Sequence, residues 1–570
     1  YGAYSKAPAS PTGPTVTDPN LKTEAVVVAK GLRTPTSMAF IGPNDILVLE
    51  KNTGVVKRIV DGKVLPKPVL NVAVARDLER GLLGIAISRN NNTSEGQRYV
   101  FLYYTESGGG NDGDDIIQKI PPLGNRLYRY ELINNELVNP VLFLDLPASP
   151  GTSNRAEHNG GKVIIGPDED DDNVYVGIGE VGGRRTRAEN VVGGPTPDGT
   201  GGILRITQEG SPVLNGLLGK KFPLNLYYAY GIRNTFGMDF DPITRTLWDT
   251  ENGPAVGDEI NMVDPGFNSG WFKIQGYAKD AELGVVNPST DLVKLGKKSH
   301  YDDPKFVWAT TVAPTALKFL NSDKLGSKYE NDMFVGDINN GYIYHFKLNE
   351  DRNELLNPST GEPFEKNAIT PEQLPSIIFG KGFGGITDLQ VGPDGYLYVL
   401  TYAGAIFRIV PVNDTSYPDA SVNAKANTNT LSSPSPTTKG TGAATHTVSI
   451  VGVRGDKSYI PNPIDIKVGD TVTWKNTDQI SHTVTSGTGP TDPAAGKSFD
   501  SHVLLSNGGI FSHQFNEPGT YSYYCIFHPT MIGSIDVVAK TTTTNQLPRQ
   551  QQGQEQQPGS QTTGIPGVVP

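Results

Sequence analysis

Residues 389–400 read LQVGPDGYLYVL: an apolar strand, a Gly-Pro-Asp-Gly turn and a second apolar strand. Similar modules, spaced by about 45 to 80 residues, begin at Met38, Leu83, Val163, Met238 and Leu317. A short antiparallel unit that recurs at such a period is typical of the blades of a β-propeller. The sequence therefore predicts an all-β protein with a six-bladed β-propeller over residues 24–411. The alternative is an array of sandwiches with similar turns. A strand near residues 25–29 is expected to pair with the last blade, because closing the ring removes exposed edges.

Composition divides the rest of the chain into one further domain and three segments without a core. Residues 445–539 alternate polar and apolar positions, which predicts a small β-sandwich. Residues 1–23 predict a flexible N-terminal tether, and residues 412–444, with almost no apolar side chains, predict a disordered linker. Residues 540–570 are rich in Thr, Gln, Pro and Gly. This tail is either disordered or docks on a neighbouring molecule, which would give self-assembly through the tails.

Charge and hydropathy exclude several classes of partner. The 570-residue chain has a formal net charge of −11 and a pI near 5.3, whereas binding to nucleic acid needs a basic face. No stretch approaches 18 consecutive apolar residues, so no transmembrane segment is expected. The start at Tyr1 lacks the pattern of a signal peptide. The tails and the linker predict an exported protein that is extracellular or held at the cell surface.

The chain has one cysteine, in the run Cys525-Ile526-Phe527-His528-Pro529-Thr530-Met531, and His482 precedes it in a strand-like segment. One thiolate, two imidazoles and a weak thioether form the ligand set of a type 1 (blue) copper centre, which transfers single electrons. Three ligands in one seven-residue loop let that loop fix most of the geometry. The alternative is a redox-inert sandwich with an incidental buried cysteine.

The stretches NPIDIKVGDTVTWKNTDQISHTV and GTYSYYCIFHPTM resemble cupredoxins of the plastocyanin and amicyanin type. This resemblance covers nearly all of the C-terminal domain. It implies that His482, Cys525, His528 and Met531 are the four copper ligands.

Three other residues of this domain are not assigned as ligands. His502 and His513 are expected to be surface histidines. Phe527 either packs inside the domain or belongs to an apolar patch through which electrons pass to a downstream redox protein.

Three motifs of the propeller region carry chemically active side chains: ERGLLGIA at residues 79–86, EHNGGK at 157–162, and the pair GIRNTFG at 231–237 with ENGPAVGDEIN at 251–261. These motifs resemble the soluble PQQ-dependent sugar dehydrogenases, also called the glucose/sorbosone dehydrogenase family, which use pyrroloquinoline quinone (PQQ). The resemblance spans most of the propeller. It implies oxidation of a sugar or a related alcohol.

The resemblance also implies roles for individual residues. His158 would be the general base that removes the proton of the sugar hydroxyl while a hydride passes to the quinone, and a neutral imidazole suits that task. Arg233 and Asn234 would hold the quinone oxygens. Without the neighbouring motifs, we would expect His158 to be a histidine packed in a turn.

The resemblance also implies a bound calcium ion. The carbonyl groups of Gly253 and Pro254 would bind it, because calcium prefers oxygen ligands. Asp258 and Glu259 would serve a nearby structural calcium, and the alternative for both is a capped turn.

The chain departs from this family where the cofactor binds. Glu79 stands in place of a glutamine and Asn339 in place of a lysine, and both remain candidates for cofactor binding. Residues 383–388 read FGGITD and lack the two arginines that the family places on the cofactor carboxylates. The loss of three cations removes binding energy for a ligand with three carboxylates. A basic cluster is formed by Arg184, Arg185 and Arg187. It either compensates for the three missing cations or belongs to a solvated loop.

Two main hypotheses follow. In the first, the chain is an exported oxidoreductase whose propeller oxidises a sugar or alcohol at a PQQ and calcium site and whose copper domain accepts the electrons. Fusion of the two domains raises the effective concentration of the acceptor. In the second, the propeller is a catalytically silent scaffold or binding domain that carries a blue-copper electron carrier at the cell surface. Copper storage or delivery is a weaker third reading.

Overall fold

A computed structural model describes residues 13–27, 32–89, 98–150, 156–214, 216–254, 256–280, 286–414, 444–452, 454–478, 482–489, 492, 496–501, 504, 510–525 and 531–539. Up to residue 414 the described chain consists mainly of strands, which are, in order, β1 (Thr15–Val16), β2 (Leu21–Val27), β3 (Pro35–Gly42), β4 (Asp45–Glu50), β5 (Val55–Val60), β6 (Lys63–Val64), β7 (Leu70–Asn71), β8 (Leu82–Ile87), β9 (Tyr99–Glu106), β10 (Gly124–Ile133), β11 (Glu136–Leu146), β12 (Val163–Ile165), β13 (Val174–Ile178), β14 (Gly202–Ile206), β15 (Tyr227–Tyr230), β16 (Thr235–Phe240), β17 (Leu247–Glu251), β18 (Asp258–Val263), β19 (Phe306–Trp308), β20 (Pro314–Phe319), β21 (Met333–Asp337), β22 (Ile343–Leu348), β23 (Leu355–Leu356), β24 (Ile378–Lys381), β25 (Ile386–Val391), β26 (Leu397–Thr401) and β27 (Ile406–Pro411).

Helices are few and short in the described part of the chain. The α-helices are α1 (Asp114–Ile117) and α2 (Pro288–Asp291), and the 3-10 helices are Arg187–Glu189, Ala278–Asp280, Ser327–Tyr329, Leu374–Ser376 and Gly455–Lys457. No helix in these described ranges has the length and apolar character needed to cross a membrane.

The strands β1 to β27 form six antiparallel sheets. One edge strand of each sheet contacts an edge strand of the next sheet, in the order β3, β8, β12, β16, β20 and β25, and β25 contacts β3. The sheets therefore form a closed ring. The prediction of an all-β propeller is confirmed.

The N-terminal strands close this ring. Strand β2 pairs with β27 from Leu21 opposite Pro411 to Val27 opposite Ile406. The predicted closing strand at residues 25–29 is thus found a few residues earlier. Strand β1, inside the predicted tether, pairs with β24. Leu21 is buried in the core of the last two sheets and Val16 packs against it, so apolar contacts join both segments to the ring.

The Gly-Pro-Asp-Gly module forms a tight hairpin between β25 and β26. Gly395 has φ of +81°, in the left-handed region that glycine adopts without strain. The Asp394 side chain accepts the backbone N–H of Tyr396 at 3.2 Å and so stabilises the turn. Leu389 and Leu397 on either side are fully buried. The local turn and the apolar strands thus favour the same structure.

One carboxylate, Asp388 on β25, links three sheets. Its Oδ2 accepts the backbone N–H of Met38 at 2.9 Å and the hydroxyl of Ser37 at 3.1 Å, both on β3. Its Oδ1 accepts Lys162 Nζ at 2.6 Å, just before β12. Asp388 and Lys162 are both buried, so each charge depends on the other.

The described part of the C-terminal domain is a sandwich of two four-stranded sheets. Trp474, fully buried, stacks on Phe499 and Phe511 in its core. The predicted sandwich is confirmed. Its strands are β28 (Thr445–Ile450), β29 (Tyr459–Ile460), β30 (Ile464–Lys467), β31 (Thr471–Asn476), β32 (Thr485–Ser486), β33 (Ile510–Gln514), β34 (Gly519–Tyr524) and β35 (Ile532–Val538). The order of the strands is β29-β28-β31-β33 in one sheet and β30-β35-β34-β32 in the other.

Replacing Asp388 with asparagine is expected to destabilise the protein by about 3–5 kcal/mol, because it leaves the ammonium group of Lys162 buried without an anion. Urea unfolding measures the change. The double variant Lys162→Met/Asp388→Asn removes the stranded charge and is expected to recover most of the loss. Glu136→Gln, in an exposed ion pair with Lys67, serves as the control and is expected to change stability little. Equal stability of Asp388→Asn and the native protein would contradict the link.

Candidate functional site

A cavity of about 430 Å³ lies at the centre of the ring, within the usual size range of small-molecule sites. All six sheets contribute to its wall, through Ser37, Leu83, Lys162, Phe236, Thr315 and Thr387 among others. Glu79 and Asn252, from two of the motifs identified in the sequence, also line it. The ring closure therefore creates the pocket in which these motifs meet.

His158 lies beside this cavity with both ring nitrogens occupied. Its Nδ1 is 2.5 Å from Oε1 of Glu180, and its Nε2 is 2.9 Å from a guanidinium nitrogen of Arg233. Because Arg233 can only donate, Nε2 accepts, and the proton of the neutral ring belongs on Nδ1. Glu180 also accepts from Arg185 at 3.0 Å and is only 2% exposed. The arrangement orients the imidazole with its basic nitrogen toward Arg233.

The side-chain oxygens of Glu79 and Asn234 accept backbone hydrogen bonds from His158 and Gly160 and so fix this turn. Glu79 Oε2 accepts the N–H of His158 at 2.7 Å and the side-chain amide of Asn234 at 3.0 Å. Asn234 Oδ1 in turn accepts the N–H of Gly160 at 3.2 Å. A side chain at Gly160 would place a Cβ atom 2.6 Å from the carbonyl oxygen of Gly177, so this turn requires glycine. The structure thus brings together the predicted residues Glu79, His158 and Asn234.

Arg233 connects His158 to the predicted calcium ligands. Its NH1 donates to the carbonyl of Asn252 at 2.7 Å and to that of Gly253 at 3.1 Å. The Gly253 carbonyl keeps a second lone pair, and the buried Oδ1 of Asn252 has no hydrogen-bond partner among the described residues. Oxygen atoms of this kind fit a hard cation or a polar ligand group. Pro254 is exposed beside them.

Asp258 holds two loops together. Its Oδ1 accepts the N–H of Gly253 at 2.8 Å, and its Oδ2 accepts those of Val312 and Ala313 at 2.6 and 2.7 Å. Burial raises the pKa of Asp258 to about 6, although these three bonds oppose the shift. The contacts explain Asp258 as a structural group, and its predicted calcium role stays a prediction.

Glu259 has the environment of an incompletely neutralised carboxylate. Its Oε1 accepts the N–H of Gly276 and the side-chain amide of Gln275, the latter at 2.8 Å. Its buried Oε2 has no hydrogen-bond partner in the described ranges. Burial and the charge of Glu251 raise the pKa of Glu259 well above its usual range. A cation would relieve this cost, so the carboxylate fits the calcium prediction.

The remaining cofactor candidates are separate from His158. The Asn339 side chain donates weakly to the carbonyl of Thr311, at 3.5 Å, and does not contact the His158 group. Arg184 pairs with Asp198. Arg187 is exposed, and of the three clustered arginines only Arg185 reaches the site, through Glu180. The basic cluster as a whole therefore does not replace the missing cations.

In the C-terminal sandwich, His482, Cys525 and Met531 are fully buried and close together. The Nδ1 atom of His482 is 3.8 Å from the sulfur of Cys525. Two ligands that each lie about 2.0–2.3 Å from one ion are separated by such a distance. The N–H of Cys525 donates to the carbonyl of Met531 at 3.1 Å, which ties the two ends of the loop together. The donor set fits copper, and His528 lies outside the described residues.

Neighbouring groups orient the histidine and the thiol. Asp478 Oδ2 lies 2.7 Å from Nε2 of His482, which leaves Nδ1 directed at the sulfur. The N–H of Thr483 donates to the Cys525 sulfur at 3.3 Å, a contact that favours the thiolate. Burial lowers the pKa of His482 and Asp478 opposes this shift, so a neutral ring is available to bind a metal.

His513 lies in β33, partly buried, with its ring 4.8 Å from Phe515 and 5.1 Å from Phe499. Burial lowers its pKa. This packing is consistent with the expectation that His513 is not a ligand. His502 and Phe527 lie outside the described residues.

No group of three or more His, Cys, Asp or Glu side chains that could hold a metal occurs within the described residues. Sequence reasoning missed Glu180 and Lys51. Glu180 follows β13 by two residues in a glycine-rich loop, and its position at the end of a central strand was the available signal. Lys51 lines the cavity but resembles a surface lysine in sequence.

Comparison with known proteins supports both domains. The family described as Glucose / Sorbosone dehydrogenase matches residues 32–408, and the copper binding proteins of the plastocyanin/azurin family match residues 446–538. Among relatives, aldose sugar dehydrogenase YliI of Escherichia coli is 24% identical over 389 residues, covering 66% of this chain and 90% of that protein. Quinoprotein glucose dehydrogenase B of Acinetobacter calcoaceticus is 24% identical over 446 residues, covering 66% and 84%.

The copper domain and the fold have their own counterparts. Amicyanin-alpha of Methylorubrum extorquens is 40% identical over 74 residues, covering 13% of this chain and 59% of that protein. An oxidoreductase (glucose dehydrogenase) structure from Thermus thermophilus superposes with a TM-score of 0.51 at 25% identity, covering 68% of this chain and 100% of that one. Because the family match covers more than half of the sequence, the chain belongs to the glucose/sorbosone dehydrogenase family, and a cupredoxin-type copper domain follows its propeller.

Proposed function

We propose that the propeller oxidises a hydroxyl group of a sugar or related alcohol with PQQ as the hydride acceptor, and that the copper domain receives the electrons one at a time. The observation that carries this proposal is the imidazole of His158, oriented by Glu180 at 2.5 Å and placed beside the central cavity. The similarity to an aldose sugar dehydrogenase and to a quinoprotein glucose dehydrogenase supports it. The two families already show a sugar dehydrogenase-like oxidoreductase with a copper electron carrier.

His158 is the proposed general base. Its Nε2 takes the hydroxyl proton as the adjacent C–H bond breaks, so that the alcohol becomes a carbonyl compound and loses two electrons and two hydrogens. Glu180 fixes the ring through Nδ1 and stabilises the imidazolium that forms. For this step, Arg233 has to move from Nε2 or share it with the hydroxyl group.

PQQ, when bound, supplies a quinone carbonyl that accepts the hydride. Arg233 and Asn234 are the residues that would hold its quinone oxygens, because both carry N–H donors at the cavity edge. The carbonyl oxygens of Gly253 and Pro254 would hold calcium, with Asn252 Oδ1 as a further oxygen donor. Asp258 positions Gly253 for this role.

In the copper domain, His482, Cys525, His528 and Met531 are the proposed ligands. A type 1 copper ion, when bound, accepts one electron at a time, so each oxidised substrate requires two transfers. Asp478 and the N–H of Thr483 hold the imidazole and the thiolate in place. A redox protein outside the cell or at its surface is the proposed final acceptor.

A second candidate function is a catalytically silent propeller that carries the copper domain. Glu79 lines the cavity where the resemblance places a neutral amide, and residues 383–388 lack both expected arginines. The added negative charge and the missing positive charges both weaken binding of a ligand with three carboxylates. The two candidates differ in whether the cavity retains PQQ and oxidises sugars.

The variant His158→Ala is expected to lower the rate of sugar oxidation about 10²- to 10⁴-fold, because the substrate proton loses its acceptor. The rate is measured anaerobically as bleaching of the blue band of the copper-loaded protein with PQQ, calcium and an aldose. Glu180→Gln keeps the shape of the side chain and is expected to give a smaller loss. His300→Ala, at a partly exposed histidine outside the cavity lining, is the control. A band that stays blue in the native protein, with no PQQ retained, would favour the silent propeller.

Glu79→Gln is expected to bind PQQ several-fold more tightly, because removing a carboxylate from the cavity wall reduces repulsion of the cofactor carboxylates. The glutamine carbonyl can still accept the N–H of His158 and the amide of Asn234. Fluorescence titration with PQQ gives the two dissociation constants. Weaker binding by the variant would show that the charge of Glu79 contributes to the site.

Cys525→Ser is expected to abolish the blue absorption band, which requires a copper–thiolate bond. Asp478→Asn is expected to retain the band but to weaken copper binding by about 10- to 100-fold, because His482 loses its orienting carboxylate. Competition with a chelator measures the affinity. Asp465→Asn, at an exposed position on β30, is the matched control. A native band in Cys525→Ser would rule out this thiolate as the ligand.

A further inference from the structure

Lys51 is a lysine of the central cavity to which no role has been assigned. It follows β4, is 9% exposed, and lines the cavity together with Thr387 and Tyr402. Thr387 belongs to the stretch that lacks the two expected arginines. Lys51 is therefore a cation in the wall of the cavity to which this stretch also contributes.

The structure holds Lys51 in place. Its N–H donates to the carbonyl of Thr34 at 3.1 Å, and its carbonyl accepts the N–H of Leu82 at 3.0 Å. Gly81 packs over its aliphatic stem, where an added Cβ atom would lie 2.6 Å from Lys51 Cγ. A side chain fixed in this way loses little entropy when it binds a ligand.

The ammonium group of Lys51 lacks a close anionic partner. Its Nζ donates to the neutral Oδ1 of Asn52 at 3.1 Å, and no described carboxylate forms an ion pair with it. Burial lowers the pKa of Lys51 to about 8, and the charges of Glu79, Asp115 and Asp77 oppose this shift through space. The other lining lysine, Lys162, is already neutralised by Asp388 at 2.6 Å. A buried ammonium without a paired carboxylate is costly, so an anion in the cavity would stabilise it.

We infer that Lys51 binds a carboxylate group of the ligand that occupies the central cavity. The carboxylate belongs either to the PQQ cofactor or to an anionic sugar such as a uronic acid. The inference rests on the proposed function in that it places the ligand in this cavity. It differs from one of the two readings given for Arg184, Arg185 and Arg187, in which that cluster compensates for the missing charge.

Calorimetric titration of the full-length protein with calcium tests this inference, using PQQ, glucuronate and neutral glucose as separate ligands. Lys51→Met keeps the length of the side chain and is expected to bind the carboxylate ligand about 10- to 100-fold more weakly, because a charge-assisted hydrogen bond is lost. Glucose binding is expected to stay unchanged. Lys51→Arg keeps the charge and is expected to retain binding within a few-fold.

Two controls separate binding from folding. The ligand-free Lys51→Met protein is expected to unfold at the native temperature or above it, because a buried unpaired charge has been removed. Lys67→Met changes an exposed lysine and is expected to leave all three titrations unaltered.

The pattern of losses identifies the source of the carboxylate. A loss for PQQ alone assigns it to the cofactor, and a loss for glucuronate alone assigns it to the substrate. If the native protein binds glucuronate but not PQQ, and Lys51→Met loses glucuronate, the inference stands while the cofactor part of the proposed function fails. Equal binding of both anions by the native protein and Lys51→Met would overturn the inference. Binding of neither anion by the native protein would overturn it as well.

Discussion

The buried ion pair between Asp388 and Lys162 joins the last sheet of the propeller to the first and third sheets at the wall of the cavity. Because both charges are buried, the pair tolerates little separation, and the sheets that carry it must stay in register. Asp239 on β16 repeats part of this arrangement, since it accepts the N–H of Phe319 on β20 and the amine of Lys318. Carboxylates that bond the first strand of the next sheet thus recur around the ring.

A closed ring converts long sequence separations into short distances. Glu79, His158 and Asn234 come from three sheets and are about 75 to 80 residues apart in the chain, yet hydrogen bonds of 2.7 and 3.0 Å connect them through one carboxylate oxygen. Each lies just before the first strand of a sheet, where the inner strands converge. The site therefore depends on ring closure as much as on its own motifs. The hydrogen bonds between neighbouring sheets keep the residues of the site in their relative positions.

The sequence was informative where a role follows from neighbouring residues or from a recognisable pattern. It was less informative where the role of a residue depends on its burial in the folded protein. The repeated turn module predicts the propeller, and three motifs predict that His158, Asn234 and Arg233 belong to a site. Lys51 escaped notice because Lys-Asn-Thr-Gly reads as an exposed turn, and its burial results from Gly81, which lies 30 residues later. The pairing of β1 with β24 was missed for a similar reason, because two residues carry no periodic signal.

Both domains fix a histidine with a carboxylate, but they use opposite ring nitrogens. In the propeller, Glu180 holds Nδ1 of His158, so the outer nitrogen, Nε2, faces the cavity edge, where the proposed proton acceptor would meet a substrate. In the sandwich, Asp478 holds Nε2 of His482, so the inner nitrogen, Nδ1, faces the sulfur of Cys525. Because Nδ1 lies close to the backbone, it moves little. The backbone of His482 also exchanges two hydrogen bonds with the backbone of Leu504. In the proposed roles, the proton acceptor needs reach, whereas the ligand of a metal with two oxidation states needs a fixed position, and the choice of nitrogen suits each role.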